Sequence, residues 1–283
     1  MTAMTEPNAT QVTFIGTGSM AGAIIGGMLK HGFSAHQIAG TTRSESSAQA
    51  ASEAYGIAVT TDNIAAVMAA DVVVLAVKPQ MMSATCHALR DAVQARQPLV
   101  ISVAAGLSAE TLNQWLGGGL AVVRCMPNTP SMLGAGVSGL FANDAVTTEQ
   151  QTLTTQLFDS VGLTHWVTDE NDMHLVTALC GSAPAYYYRF TEALMQAAVQ
   201  RGMAQPDAQR LASQVALGAA RMMTETEHTP ATLRQQVSSP GGTTVQALGI
   251  FDQQGLDSLV ADAVAACVER SESLAVELAS QAD

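Results

Sequence analysis

The stretch "VTFIGTGSMAGAIIGGML" (12–29) constrains the fold of this chain more than any other. A β-branched, apolar run ends at Gly16, and a helical pattern of small and aliphatic residues begins directly after it. Gly16, Gly18 and Ala21 stand as G-x-G-x-x-A across that junction. Gly16 allows the tight turn, Gly18 lets a ligand approach the backbone, and Ala21 permits close packing of helix on strand. The N–H groups opening the helix, around Ser19 and Met20, have no partner within it and favour a phosphate. In this position the pattern predicts the first βαβ unit of a dinucleotide-binding sheet.

The rest of the first half keeps the same rhythm. Strands are expected near 12–16, 37–41, 71–77, 98–104 and 120–126, with helices between them, which predicts a parallel sheet covered on both faces. From Glu170 the strand runs stop and long helical patterns follow: "NDMHLVTALCGSAPAYYYRFTEALMQAAVQRG", "PDAQRLASQVALGAARMMTETE", "VQALGIFDQQG" and "DSLVADAVAACVERSESLAVELAS". The expected fold class is α/β: a Rossmann-type, mostly parallel sheet domain over 1–169, then an all-helical domain over 170–283. No linker rich in Pro, Gly or Ser separates them.

Charge and composition exclude several classes. A net charge of −12 argues against nucleic acid, whose backbone calls for a clustered basic face. An anionic ligand must therefore be held by local groups rather than by the overall field. The four cysteines are far apart and form no zinc-binding cluster, so no metal is expected. The opening "MTAMTEPNATQ" lacks the basic and apolar regions of an export signal, and Asp71 interrupts the most apolar run well short of a membrane span. A cytoplasmic protein with no membrane partner is the expectation.

The strand ends carry the cofactor reading. Where an NAD site usually has a carboxylate on the ribose, this chain has Thr41, Thr42 and Arg43. Hydroxyls and a guanidinium suit a 2′-phosphate, so NADPH is favoured and NADH is the alternative. "AVKPQ" places Ala76, Val77, Lys78 and Pro79 at one strand end, and "SVAAG" places Ala104, Ala105 and Gly106 at the next. Their small residues would floor the nicotinamide end. Lys78 has two readings, a phosphate or carbonyl contact and a catalytic base. Asn128, between two prolines in "MPNTP", likewise either orients the nicotinamide carboxamide or ties down its loop.

"SSPGGTT" (238–244) interrupts the helical half with hydroxyls, a proline and adjacent glycines, more than a helix-to-helix turn needs. A sheet domain followed by a helical domain fits several reductases, including 3-hydroxyacid dehydrogenases. That family relies on a lysine in the second domain, and no lysine follows Lys78 here. "LRQQVSSPGGTTVQAL" resembles instead the signature of the pyrroline-5-carboxylate reductases. "FIGTGSMAGAIIGGM", "LAVKPQ", "SVAAG", "RCMPNTP" and "GSAPAY" are similar to that family's other blocks, in the same order. The resemblance covers nearly the whole chain.

That resemblance implies reduction of Δ1-pyrroline-5-carboxylate to L-proline by NADPH or NADH. The site must then bind a carboxylate, hydrogen-bond the ring nitrogen and hold the imine carbon against the nicotinamide. Ser239 with the N–H groups of Gly241, Gly242 and Thr243 forms a candidate anion cradle that needs no lysine or arginine. Thr244 falls on the family's threonine near the imine nitrogen, with helix capping as its rival role. Glu227 falls on a family position near the substrate or subunit boundary, or is an exposed helix-end acid. Asn63 falls near the adenosine ribose, with N-capping as its alternative. Family members are homodimers or assemblies of dimers built on the C-terminal helices, so a homodimer is expected and a larger assembly is the further option. The tyrosines of "AYYYRF" read as core or subunit interface. Two departures stand out: "ALCGSAPAY" has Cys180 for a frequent serine and Ala183 for a frequent glycine, and the second strand's end, "GTTRS", varies within the family. Other imines or small carbonyls as substrate, and a silent cofactor-binding regulator, are the competing functions.

Overall fold

The computed structural model describes residues 10–280; most of the polar opening segment lies outside the described residues, as do 281–283. Strands β1 (Val12–Ile15), β2 (Ile38–Thr41), β3 (Ala58–Thr60), β4 (Val72–Leu75), β5 (Leu99–Ser102), β6 (Val122–Met126), β7 (Gly136–Ala142) and β8 (Gly162–Trp166) form one sheet in the order β3-β2-β1-β4-β5-β6-β7-β8. Pairing is parallel from β3 through β6. β7 then runs antiparallel to β6, and β8 runs parallel to β7. The chain winds outward in one direction from β1 and in the other from β4, so the switch point lies between these two strands.

Side chains alternate between two cores, one on each face. Val12, Phe14, Val72, Val74, Leu99 and Ile101 enter one, where α1 (Ser19–Lys30) and α6 (Thr148–Asp159) supply Ile24, Ile25, Met28, Leu157 and Phe158. Ile15, Val73, Leu75, Val100 and Val122 enter the other, facing Met82, Cys86, Leu89 and Val93 of α4 (Pro79–Arg96). Spacings of three and four put those four residues on one helical stripe. Full burial of the central strands explains their continuous apolar text. α2 (Glu45–Tyr55), α3 (Asn63–Met68) and α5 (Ala109–Trp115) complete the cover.

Three strands lie outside the expected set, β3, β7 and β8. β7 and β8 carry Gly136, Gly139 and Gly162. Here they are close approaches: a Cβ on Gly162 would stand 2.0 Å from the Gly136 carbonyl oxygen, and one on Gly139 would stand 2.2 Å from Val176 Cγ1.

Beyond the sheet come α7 (Asp172–Val176), a π-turn (Thr177–Ser182), α8 (Ala183–Gln200), α9 (Gln205–Glu225), α10 (Pro230–Gln236), α11 (Thr243–Gln253) and α12 (Leu256–Ser280). The chain divides into two compact units: residues up to Ser182 with those from Cys267 onward, and Ala183–Ala266. This division by contacts falls thirteen residues after the change of pattern at 169/170 and returns the C-terminal residues to the sheet. The physical reason is a set of contacts that the text does not display. Arg124 pairs with Glu170 at 2.8 Å, His174 Nδ1 meets Ser271 Oγ at 2.9 Å, and Leu278 lies in the sheet core.

In the helical unit α8 and α9 pack together and Phe190 meets Phe251, with ring centroids 6.0 Å apart. Much apolar surface stays outside, Tyr187 and Tyr188 being 66% and 63% exposed. Among the described residues no helix is long and apolar enough to cross a membrane, and no cluster of His, Cys, Asp or Glu could hold a metal.

Burial pushes the Cys86 thiol up from 9.0 to about 12. Unfolded chain releases that proton near pH 9, whereas the folded thiol keeps it until about 12, so between these values the folded state holds the extra proton. Stability therefore falls as pH rises through this window, by about 1.4 kcal/mol per pH unit for one thiol. The expected result is a wild-type urea midpoint that drops between pH 8.5 and pH 10.5 more steeply than that of Cys86→Val. Parallel pH profiles of the two would show that Cys86 carries no part of the alkaline loss.

Candidate active site

The turn after β1 is built at the switch point. Gly16 has φ +92°, and a Cβ there would stand 3.1 Å from the Ala76 carbonyl oxygen and 3.2 Å from Val77 Cγ1, so the turn lies directly on the chain leaving β4. Gly16 N–H donates to Thr41 Oγ1 at 3.2 Å, which ties the turn to the end of β2 as well. A Cβ on Gly18, by contrast, would meet nothing within 4 Å. Gly18 stands at the N-cap of α1, where Ser19 and Met20 occupy the first turn.

The starts of α1 to α6 fall into two groups, while α7, further along, has no side-chain cap at Asn171 either. α2, α3, α5 and α6 are capped by Ser44, Asp62, Ser108 and Thr147, each accepting from a backbone N–H of its own first turn. α1 and α4, the helices that follow β1 and β4 on either side of the switch point, have no side-chain cap at Gly18 or Lys78. Their positive ends are left for an anion. Thr17 Oγ1 adds a buried hydroxyl with no hydrogen-bond partner at the same turn. An open approach at Gly18, two uncapped helix starts and an orphaned hydroxyl fit a dinucleotide diphosphate.

At the end of β2, Thr41 is buried and its hydroxyl faces Gly16, while Thr42 Oγ1 donates to the Ser44 carbonyl at 3.1 Å. Arg43 is exposed beside them. Asn63 is the first residue of α3, but the cap is Asp62, whose Oδ1 accepts from Ala65 N–H at 3.0 Å. The capping alternative for Asn63 therefore belongs to its neighbour. Ala76, Val77, Lys78 and Pro79 leave β4 as expected, with Pro79 opening α4 and Lys78 exposed.

Ala104 and Ala105 follow β5 half-buried, but Gly106 is covered. It has φ +78°, and a Cβ there would stand 3.2 Å from atoms of Leu274 and Leu278. The C-terminal turns of α12 thus back the loop that holds Ala104 and Ala105. Asn128 is 6% exposed after β6; its Oδ1 accepts from Val137 N–H at 3.0 Å and its Nδ2 donates to the Cys180 carbonyl at 3.1 Å.

In the helical unit, Ser239–Gly242 is a turn with Pro240 second and Gly241 at φ +72° third, closed by Gly242 N–H on the Ser239 carbonyl at 2.9 Å. Proline second and a positive-φ glycine third are what a type II turn requires. A Cβ on Gly242 would stand 2.7 Å from Ser239 Oγ. The Gly242 N–H is therefore spent on the turn, which corrects the donor set of the expected cradle. Gly241 and Thr243 keep their place in the expected cradle, and the N–H groups of Thr244 and Val245 also open α11 without an intrahelical partner. α11 has no side-chain cap. Glu227 is exposed in the link between α9 and α10.

Two working residues escaped the sequence reading. Glu170 Oε1 accepts from Ala109 N–H at 2.6 Å as well as from Arg124, so one carboxylate fixes the start of α5 and a buried guanidinium. Thr17 was masked by its place in a turn, although a glycine inside the next strand was a signal: a Cβ on Gly40 would stand 2.4 Å from Thr17 Cγ2.

A doubly wound sheet with a phosphate-ready switch point, followed by a helical unit with an uncapped hydroxyl-rich turn, defines the class of dinucleotide-binding oxidoreductases. Comparison with known proteins narrows the class. Residues 170–274 match the family described as pyrroline-5-carboxylate reductase dimerisation, and residues 11–106 match that described as NADP oxidoreductase coenzyme F420-dependent. The pyrroline-5-carboxylate reductase of Pasteurella multocida is 45% identical over 271 residues, spanning 94% of this chain and 98% of that one. A pyrroline-5-carboxylate reductase structure from Coxiella burnetii superposes with a TM-score of 0.90 at 42% identity, covering 94% and 99% of the two chains. The Plasmodium falciparum enzyme, solved with NADP bound, superposes at 0.82 with 25% identity over 94% and 98%. The chain belongs to the pyrroline-5-carboxylate reductase family.

Proposed function

We propose that this protein reduces the C=N bond of Δ1-pyrroline-5-carboxylate to give L-proline, with NADPH preferred over NADH. Family membership sets the reaction, and the start of α11 is the observation that carries it to particular residues. There, a turn closed on itself delivers two threonines to a helix end that no side chain caps. The bound dinucleotide supplies the hydride gained by the imine carbon. The protein has to seat the carboxylate, orient the ring nitrogen and pass it a proton. The Thr243 and Thr244 N–H groups and the Ser239 hydroxyl seat the carboxylate, helped by the helix dipole. Thr244 Oγ1 bonds the ring nitrogen, where amine character develops during reduction.

Gly16, Gly18, Ser19 and Met20 hold the diphosphate, Thr42 and Arg43 the 2′-phosphate, and Asn63 the adenosine ribose. Ala76–Pro79 and Ala104–Ala105 floor the nicotinamide end. The exposed apolar faces of the helical unit are covered by a second copy, giving a homodimer, and dimers can assemble further; light scattering of the purified protein measures both. Four free thiols fit a reducing, cytosolic setting.

The test is oxidation of NADPH and of NADH by purified protein with Δ1-pyrroline-5-carboxylate, beside a panel of other cyclic imines. Oxidation with another imine but not with this one sinks the reading. Arg43→Ser should weaken NADPH binding by about 1–2 kcal/mol, roughly five- to thirtyfold, while leaving NADH unchanged, because only the former carries the 2′-phosphate. Fluorescence titration with both cofactors measures it.

A further inference from the structure

Asn128 sits at the N-cap position of a 3₁₀ turn (Thr129–Leu133), yet its side chain does not cap that turn. Both ends of the amide point elsewhere, Oδ1 to Val137 N–H and Nδ2 to the Cys180 carbonyl. A backbone N–H can only donate and a carbonyl can only accept, so the two contacts fix the same amide orientation. The reason for the second contact lies four residues past Cys180. Pro184 has no N–H, and a proline ring clashes with the carbonyl four residues before it. The chain widens into a π-turn over Thr177–Ser182, which ends two residues before that proline, and the Cys180 carbonyl finds a donor outside the helix. Gly181 permits the approach, since a Cβ there would stand 2.2 Å from Met126 Cε at the end of β6.

We infer that Asn128 is a positioning residue, supplying the hydrogen bond that Pro184 cannot and so locking the loop after β6 to the π-turn. This rests on the proposed reaction for its catalytic consequence. The loop leaves the C-terminal end of β6, in the same row as the ends of β1, β4 and β5, which carry Gly16, Ala76 and Ala104. A loop held there sets the wall of the nicotinamide end without touching the diphosphate.

Asn128→Asp is nearly isosteric, keeps the acceptor for Val137 and removes the donor. Pro184→Ala returns a backbone N–H within the helix. The inference expects Asn128→Asp to lower kcat per folded molecule roughly tenfold, with the Kd for NADPH within about twofold of wild type. It expects Pro184→Ala alone to stay active, and the double variant to recover most of the lost kcat. Amide exchange of Thr129–Leu133, read without substrate, should quicken in the single variant and slow again in the double. Unchanged kcat and exchange in Asn128→Asp would overturn the inference. So would a double variant no better than the single, which would mean that Asn128 meets a ligand directly. If Asn128→Asp does not fold, a folded, protected double variant supports the inference and an unfolded one overturns it. Should the wild type fail to reduce Δ1-pyrroline-5-carboxylate, the proposed reaction falls while the exchange data still decide the lock.

Discussion

Thr244→Val lowers turnover roughly tenfold to a thousandfold, by analogy with a lost oxyanion donor, and leaves the melting temperature within a few degrees of wild type. Valine keeps the shape of threonine and removes only the hydroxyl. Thr244 is the second residue of α11, and no side chain caps that helix start. Loss of a cap would cost about 1 kcal/mol of stability and no turnover. The two roles therefore part cleanly: stability falls if the hydroxyl serves the helix, and kcat falls if it serves the imine nitrogen. An interaction that strengthens as amine character develops lowers kcat more than it raises KM. Steady-state kinetics at saturating NADPH, beside a thermal melt, separate these outcomes. Unaltered kcat with a lower melting temperature would return Thr244 to a structural role.

The central sheet was readable because its strands are buried on both faces, which forces uninterrupted apolar runs such as "VVVL" and "LVIS". The outer strands were not. In β7 and β8, glycine is required by a neighbouring backbone or side chain at Gly136, Gly139 and Gly162, and a glycine needed for proximity looks in text like a glycine that ends a strand. The first turn and α11 were legible for the opposite reason, since their glycines fall where strand and helix patterns change over. The donor set of the α11 turn was off by one residue because hydrogen-bond closure, here Gly242 on Ser239, leaves no mark in composition. Long-range partners were invisible for the same reason: nothing local links Glu170 to Ala109 or Asn128 to Cys180. The contact division at 182/183 follows the change of pattern at Glu170 because such bonds tie the stretch from Glu170 to Ser182 to the sheet.

Gly18→Ala should fold like wild type and bind NADPH poorly. The position has φ −75°, an ordinary value for alanine, and an added Cβ meets no protein atom within 4 Å. Any loss must then come from what approaches that open side. Overpacking of a close contact costs about 1–3 kcal/mol, which is roughly five- to 150-fold in the Kd for NADPH. Gly16→Ala makes the complementary case. There φ is +92° and the new Cβ would press on the Ala76 carbonyl at 3.1 Å, so the protein itself is strained and the melting temperature falls with or without ligand. Fluorescence titration and melting of both variants distinguish a glycine kept for the ligand from one kept for the turn. Equal NADPH affinity in Gly18→Ala and wild type would move the diphosphate away from the start of α1.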